Sequence, residues 1–277
     1  MKKNFTLWQW IVTLYKRAIA HDSTGMAAQL AYFFLLSVFP LLIFLFSLIP
    51  FFPLSEGDVL NVIRDFAPGE TMKLIDENMD DIVHQHSGKI LSFGLIGTLW
   101  SASIGMNGII IAINRAYEVE EDRPFYITRG LSIILTIALI FVVFIALLLI
   151  IFGRHVGIYL FAKIGFSDEF IHLWETLRWV VSSIILFIVF TCIYFFSPNK
   201  KIRCIDAFPG ATIATLGWVI TSLAFSYYVS NFGNYSITYG SIGGVIVLMI
   251  WLYMSGLILI IGGEINALNV LRKNENC

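Results

Sequence analysis

"YGSIGGVIVLMIWLYMSGLILIIGGEINAL" occupies residues 239–268 and points to the kind of chain this is. An uncharged run precedes Glu264, with Asn266 two places further on. Crossing the hydrocarbon core of a bilayer takes about 20 apolar residues in a helix, and this run suffices. Five other stretches match it, near 27–52, 90–114, 130–152, 177–196 and 209–231, so together with 240–263 six transmembrane helices are expected. Composition agrees: 58% of the 277 residues are hydrophobic, 13% are charged and the mean hydropathy is +0.81. A water-soluble domain of this length needs far more polar surface. The expected class is therefore an all-α, multi-pass membrane protein built as a single domain over 1–277.

Orientation follows from Lys and Arg in the loops. Lys2, Lys3, Lys16, Arg17, Arg115, Arg123, Arg129, Lys200, Lys201, Arg203, Arg272 and Lys273 fall on one side, against Arg64, Lys73, Lys89, Arg154, Lys163 and Arg178 on the other. Twelve against six places both termini in the cytoplasm. The opening segment returns to Lys16 and Arg17 after a short apolar patch and lacks a small-residue cleavage site, unlike a signal peptide. Trp8, Ile11, Val12, Tyr15 and Ile19 recur at spacings of three and four. Over 1–25 that pattern fits a helix in the membrane interface with Lys16 and Arg17 at headgroups, or equally a first helix packed on its own protein.

The extracytoplasmic loop 53–88 holds eight acids against Arg64 and Lys73. Met72, Ile75, Met79 and Ile82 share a helical face, so short amphipathic helices are expected there. Such a loop can cap a path or dock an envelope partner; a solvated acidic face is the plainer reading.

Several chemistries lack their residues. A phosphate-binding G-x-x-x-x-G-K-[ST] loop is missing, and a net charge of -1 offers no field to nucleic acid. His84 and His86 are the only close histidine pair, and on a helix they diverge, so neither a metal nor any other cofactor is expected. Three cysteines imply no disulfide framework. No enzyme motif is present. Inside the six stretches only Arg178 is charged, at an outer edge, which argues against a proton relay or polar-ion pump. An amphipathic cargo needs no buried charge. Gln29, Ser37, Ser101, Ser103, Asn107, Asn114, Thr191, Thr215 and Ser255 are uncharged polar groups able to bond between helices. Rows of small residues, such as Gly97, Ser101 and Gly105, permit close helix packing and also a homo-oligomer. Glu264 lies at the cytoplasmic boundary, where Arg115 arrives from the second span. The two are expected to pair, with Asn114 or Asn266 assisting, unless Glu264 is only a solvated helix end.

Four stretches together resemble a known family. "AAQLAYFFLLSVFPLL" at 27–42, "WSASIGMNGIIIAINRAYEVEEDRPF" at 100–125, "SPNKKIRCIDAFPGATIATLGW" at 197–218 and the last span with "GGEINA" are similar, in order, to the YihY/BrkB family of bacterial inner-membrane proteins. Gly262, Gly263 and Glu264 stand where members commonly read Gly-Ala-Glu. The resemblance implies six helices with cytoplasmic ends in a bacterial cytoplasmic membrane. It marks Gln29, Tyr32, Pro40, Asn107, Asn114, Arg115, Tyr117, Pro198, Asn199, Pro209, Gly210, Tyr239, Gly240, Gly243, Gly244, Glu264 and Asn266 as substrate-path or gate residues. The family's old ribonuclease BN label finds no metal cluster or basic RNA surface here. The function expected is a transporter or flippase-like protein for an amphipathic substrate, a lipid. A membrane scaffold working through 53–88 is the alternative, and a ribonuclease the remote one.

Overall fold

The computed structural model describes residues 7–48, 88–142, 167–232 and 242–275. Every described secondary-structure element is helical. In order they are α1 (Leu7–Ala20), α2 (Ser23–Leu48), α3 (Gly88–Ala116), α4 (Phe125–Val142), α5 (Ser167–Phe196), a 3₁₀ turn (Cys204–Ala207), α6 (Phe208–Phe232) and α7 (Ile242–Glu275). A chain in lipid must satisfy its backbone groups within each segment, and helices achieve this without a partner. Segments of α3 to α7 are long and apolar enough to cross a membrane. α2 carries the remaining expected span as far as Leu48. The amphipathic helices expected within 53–88 lie outside the described residues.

The chain divides into two compact units. Residues 33–102 make one, holding most of α2 and the first half of α3. Here Gly97 of the small-residue row faces Pro40: a Cβ on Gly97 would sit 3.2 Å from the proline Cβ. Thr98 and Ser101 turn their hydroxyls to carbonyls four residues back, Gly94 and Gly97, rather than to another helix.

Residues 1–32 and 103–277 make the other unit. Its core is Leu30, Met106, Ile109, Ile110, Ile113, Tyr117 and Tyr194, with Ala211 and Ala214 where α6 packs closely. Thr191 bonds its own helix at Phe187, whereas Ser255 accepts from Trp218 Nε1 at 3.1 Å and ties α7 to α6. Trp218 and Trp251 meet edge to face at 5.7 Å, a geometry the ring quadrupoles favour.

Candidate functional site

α1 has two working faces. Trp8, Ile11, Tyr15 and Ile19 point outward with exposures of 73%, 45%, 66% and 62%. Arg17 and His21, four apart, turn the other way. The Arg17 guanidinium reaches Glu264 Oε2 (3.1 Å), Glu118 Oε1 (2.6 Å) and the Ala116 carbonyl (2.5 Å). His21 Nδ1 lies 2.5 Å from Glu264 Oε1. Glu264 has no exposed surface. A carboxylate taken out of water persists only when paired and hydrogen-bonded, and here both oxygens are engaged.

The ends of α1 and α3 cap one another. Helices leave their last carbonyls without partners, and cations there also oppose the helix dipole. Arg17 from α1 donates to Ala116 at the end of α3, and Arg115 of α3 donates to the His21 carbonyl at 3.1 Å, beyond the end of α1. Each helix end is followed by a non-glycine residue in the left-handed region, Asp22 (φ 53°) and Glu118 (φ 55°). Around Glu118 the bonds from Val119 N to Asn114 O and from Glu118 N to Arg115 O form a Schellman stop, whose usual occupant at this position is glycine. Glu118 trades backbone ease for a carboxylate that grips Arg17. Glu118→Ala loses the grip and keeps the strain, whereas Glu118→Gly loses both. Thermal unfolding in detergent should therefore find the Gly variant more stable than the Ala variant by about 1 kcal/mol.

Beyond this stop the chain is clamped to the segment after α5. Asn114 donates to Glu121 Oε2 (2.7 Å) and accepts from Asn199 N (2.7 Å). Arg123 holds both oxygens of Glu121 at 2.6 Å and also donates to the Ser197 carbonyl. The hydrogen bonds from the Arg123 side chain hold the Glu121 carboxyl below its ordinary value, against the opposing effect of burial. A carboxylate depressed on folding stabilises the fold above its unfolded pKa, and that contribution is lost as pH falls through the depressed value. The clamp should thus hold at neutral pH and loosen on acidification below about 4.3, the ordinary glutamate value. The thermal midpoint of the protein should register this loss, and Arg123→Ala should abolish that part of the acid dependence.

On α7, two residues past Glu264, Asn266 caps α6 from outside. It accepts from Gly210 N at 2.7 Å, one of the N–H groups that the start of α6 cannot pair itself, and also donates to the Ala207 carbonyl at 3.0 Å. A Cβ on Gly210 would collide with the Gly262 carbonyl and the Asn266 amide, and one on Gly262 with the Tyr194 hydroxyl. That hydroxyl donates to the Leu259 carbonyl at 2.8 Å. Just before α6, Asp206 is held by Arg203 (3.1 Å) and Lys273 (2.6 Å). Among the described residues no cluster of His, Cys, Asp and Glu could hold a metal ion.

The structure gathers Asn114, Tyr117, Asn199, Gly210, Glu264 and Asn266 of the expected positions into this end of the unit. Pro198 is buried beside Ser197. Asn107 accepts a long contact from Ser132 at 3.5 Å. Gln29 and Tyr32 are exposed on α2, Pro209 is exposed, Gly243 is buried and Gly244 open, while Pro40 belongs to the other unit. Tyr239 and Gly240 lie outside the described residues. The expected partner of Glu264 needs correcting: Arg17 and His21 hold it, because Arg115 projects from the exposed side of α3 toward the His21 carbonyl. Arg17 turns inward, so its side chain follows the second of the two readings of 1–25, a first helix packed on its own protein. Sequence reasoning also missed Glu118, Glu121, Arg123, Tyr194 and Asp206. The i, i+4 spacing of Arg17 and His21, opposite the apolar row of α1, was the one available signal.

Helices of this length and polarity, with their ionic groups gathered at helix ends, define a multi-pass all-α membrane protein. The particular family follows from comparison. The description Virulence factor BrkB matches residues 14–276, and the chain belongs to that family. It is 51% identical over 260 residues to the ribonuclease-like protein YfkH of Bacillus subtilis (strain 168), covering 94% of each chain. It is 28% identical over 269 residues to a UPF0761 membrane protein of Aliivibrio fischeri (strain MJ11), covering 94% of this chain and 83% of that one. A UPF0761 membrane protein of Haemophilus influenzae (strain 86-028NP) is 26% identical, covering 95% and 94%. No solved structure matches.

Proposed function

We propose that this chain moves an amphipathic substrate, a lipid, across the membrane, and that the Arg17, His21, Glu118 and Glu264 cluster closes one end of its route. The carrying observation is the way Glu264 is buried. A merely structural helix end is solvated or capped locally, whereas this carboxylate is held by Arg17 of a separate helix, α1, and by His21 just beyond its end. That helix is joined to α2 by His21 and Asp22 alone. Four buried hydroxyls have no hydrogen-bond partner among the described residues, Tyr117 Oη, Ser197 Oγ, Ser23 Oγ and Thr215 Oγ1. The first two are suited to a polar headgroup. Membrane depth without charge suits acyl chains better than ions.

The test is reconstitution in liposomes with fluorescent phospholipid in both leaflets and dithionite added outside. Wild-type protein should expose the inner-leaflet pool faster than protein-free liposomes do. Glu118→Gly, which frees Arg17 from one of its three holds, should raise the rate further. A wild-type rate equal to that of empty liposomes would sink the reading.

A further inference from the structure

The outward face of α1 has no counterpart in the chemistry described so far. Its four large apolar side chains include a tryptophan and a tyrosine, the residues that settle at the level of lipid headgroups. Residues 1–20 contain Lys2, Lys3, Lys16 and Arg17 and no acid. Of these, Lys16 is exposed on α1 itself, while Arg17 is spent on Glu264 and Glu118. His21 and Asp22 alone separate α1 from α2, which continues into a membrane-length apolar run, so α1 cannot lie far from a bilayer surface. An apolar, aromatic helix face flanked by an exposed lysine, with no acid on the helix itself, is the chemistry that an anionic bilayer surface recognises.

We infer that α1 binds the anionic surface of the bilayer through Trp8, Ile11, Tyr15, Ile19 and Lys16, and that this seat holds Arg17 and His21 on Glu264. The two faces lie back to back on one 14-residue helix, so rolling α1 off the lipid carries Arg17 away from the carboxylate. Lipid charge thereby sets how firmly the cluster is shut. The inference names the regulation of the closure proposed above and rests on that reading for its functional meaning, but the seating is measurable without any transport.

The experiment uses the full chain with Cys192, Cys204 and Cys277 replaced by serine and Ile11→Cys carrying an environment-sensitive fluorophore. It is placed in vesicles of phosphatidylcholine alone or mixed with phosphatidylglycerol. Quenching by doxyl lipid reads the seated fraction and iodide the exposed one. A second preparation, spin-labelled at Thr13→Cys and Asn269→Cys, reads the separation of α1 from α7. Phosphatidylglycerol should raise the ratio of seated to exposed label. Lys16→Ala should lower that ratio about fivefold, the weight of one basic residue near an anionic surface. The α1 to α7 distance should be narrowly distributed when α1 is seated and broad when Trp8→Ser and Tyr15→Ser are combined. Label reached equally by iodide in both vesicle types would overturn the inference. So would shielding that grows with protein density instead of lipid charge, since a second copy would then cover the face. A seated α1 in a protein that moves no lipid would refute only the transport reading.

Discussion

Arg17→Ala should destabilise the protein by about 3 kcal/mol, the lower end of what breaking a buried ion pair costs. The guanidinium satisfies Glu264, Glu118 and the Ala116 carbonyl together, and its loss leaves the buried carboxylate with His21 alone. Chemical denaturation in detergent gives the number. Glu264→Gln removes the charge that needs compensation, so adding it to Arg17→Ala should recover much of the loss, a coupling that a double-mutant cycle isolates. Arg17→Lys should rescue poorly, because an ammonium cannot spread three donors in a planar fork. A cost below about 1 kcal/mol would put this pair with exposed surface bridges and remove the basis for a closure.

Gly210→Ala carries the second large effect. The added methyl would meet the Gly262 carbonyl oxygen and the Asn266 amide. Neither can step aside: one is backbone and the other is fixed by two hydrogen bonds. Relief requires α6 and α7 to separate, and the expected cost is about 3 kcal/mol or more. Gly244→Ala is the control. Nothing lies within 4 Å of a Cβ there, so helix propensity alone should make it neutral or stabilising by up to about 1 kcal/mol. Similar behaviour of the two variants would show that α6 and α7 are not locked at Gly210.

The spans were legible because bilayer thickness imposes a length that few other structures share. Glu264 was legible as a boundary residue for the same reason, since a charge ending an apolar run marks its edge. Its partner was not. From spacing alone Arg115 and Arg17 were both available at that depth, and the choice depends on which side of α1 faces the protein. The apolar row of α1 invited the assumption that basic residues follow it to the headgroups; in the structure that row is exposed and Arg17 lies opposite. Asn266 was marked, but its role as a cap for α6 depends on the close approach at Gly210 and Gly262, a tertiary fact. Hydroxyls such as Ser101 and Thr191 were expected between helices and bond their own carbonyls, a choice that sequence leaves open.

Arg17 and Glu264 stand 247 residues apart in the chain. During synthesis the arginine emerges near the beginning and its carboxylate near the end, after every other span has been made. Glu118, the other counter-ion of Arg17, is made well before Glu264, and the outward face of α1 gives the helix a location at the membrane surface in which to wait for the second. Arrival of α7 then completes the site in a single step. A chain truncated before Glu264 is accordingly expected to insert its earlier spans and still be recognised as unfinished, with α1 accessible to protease.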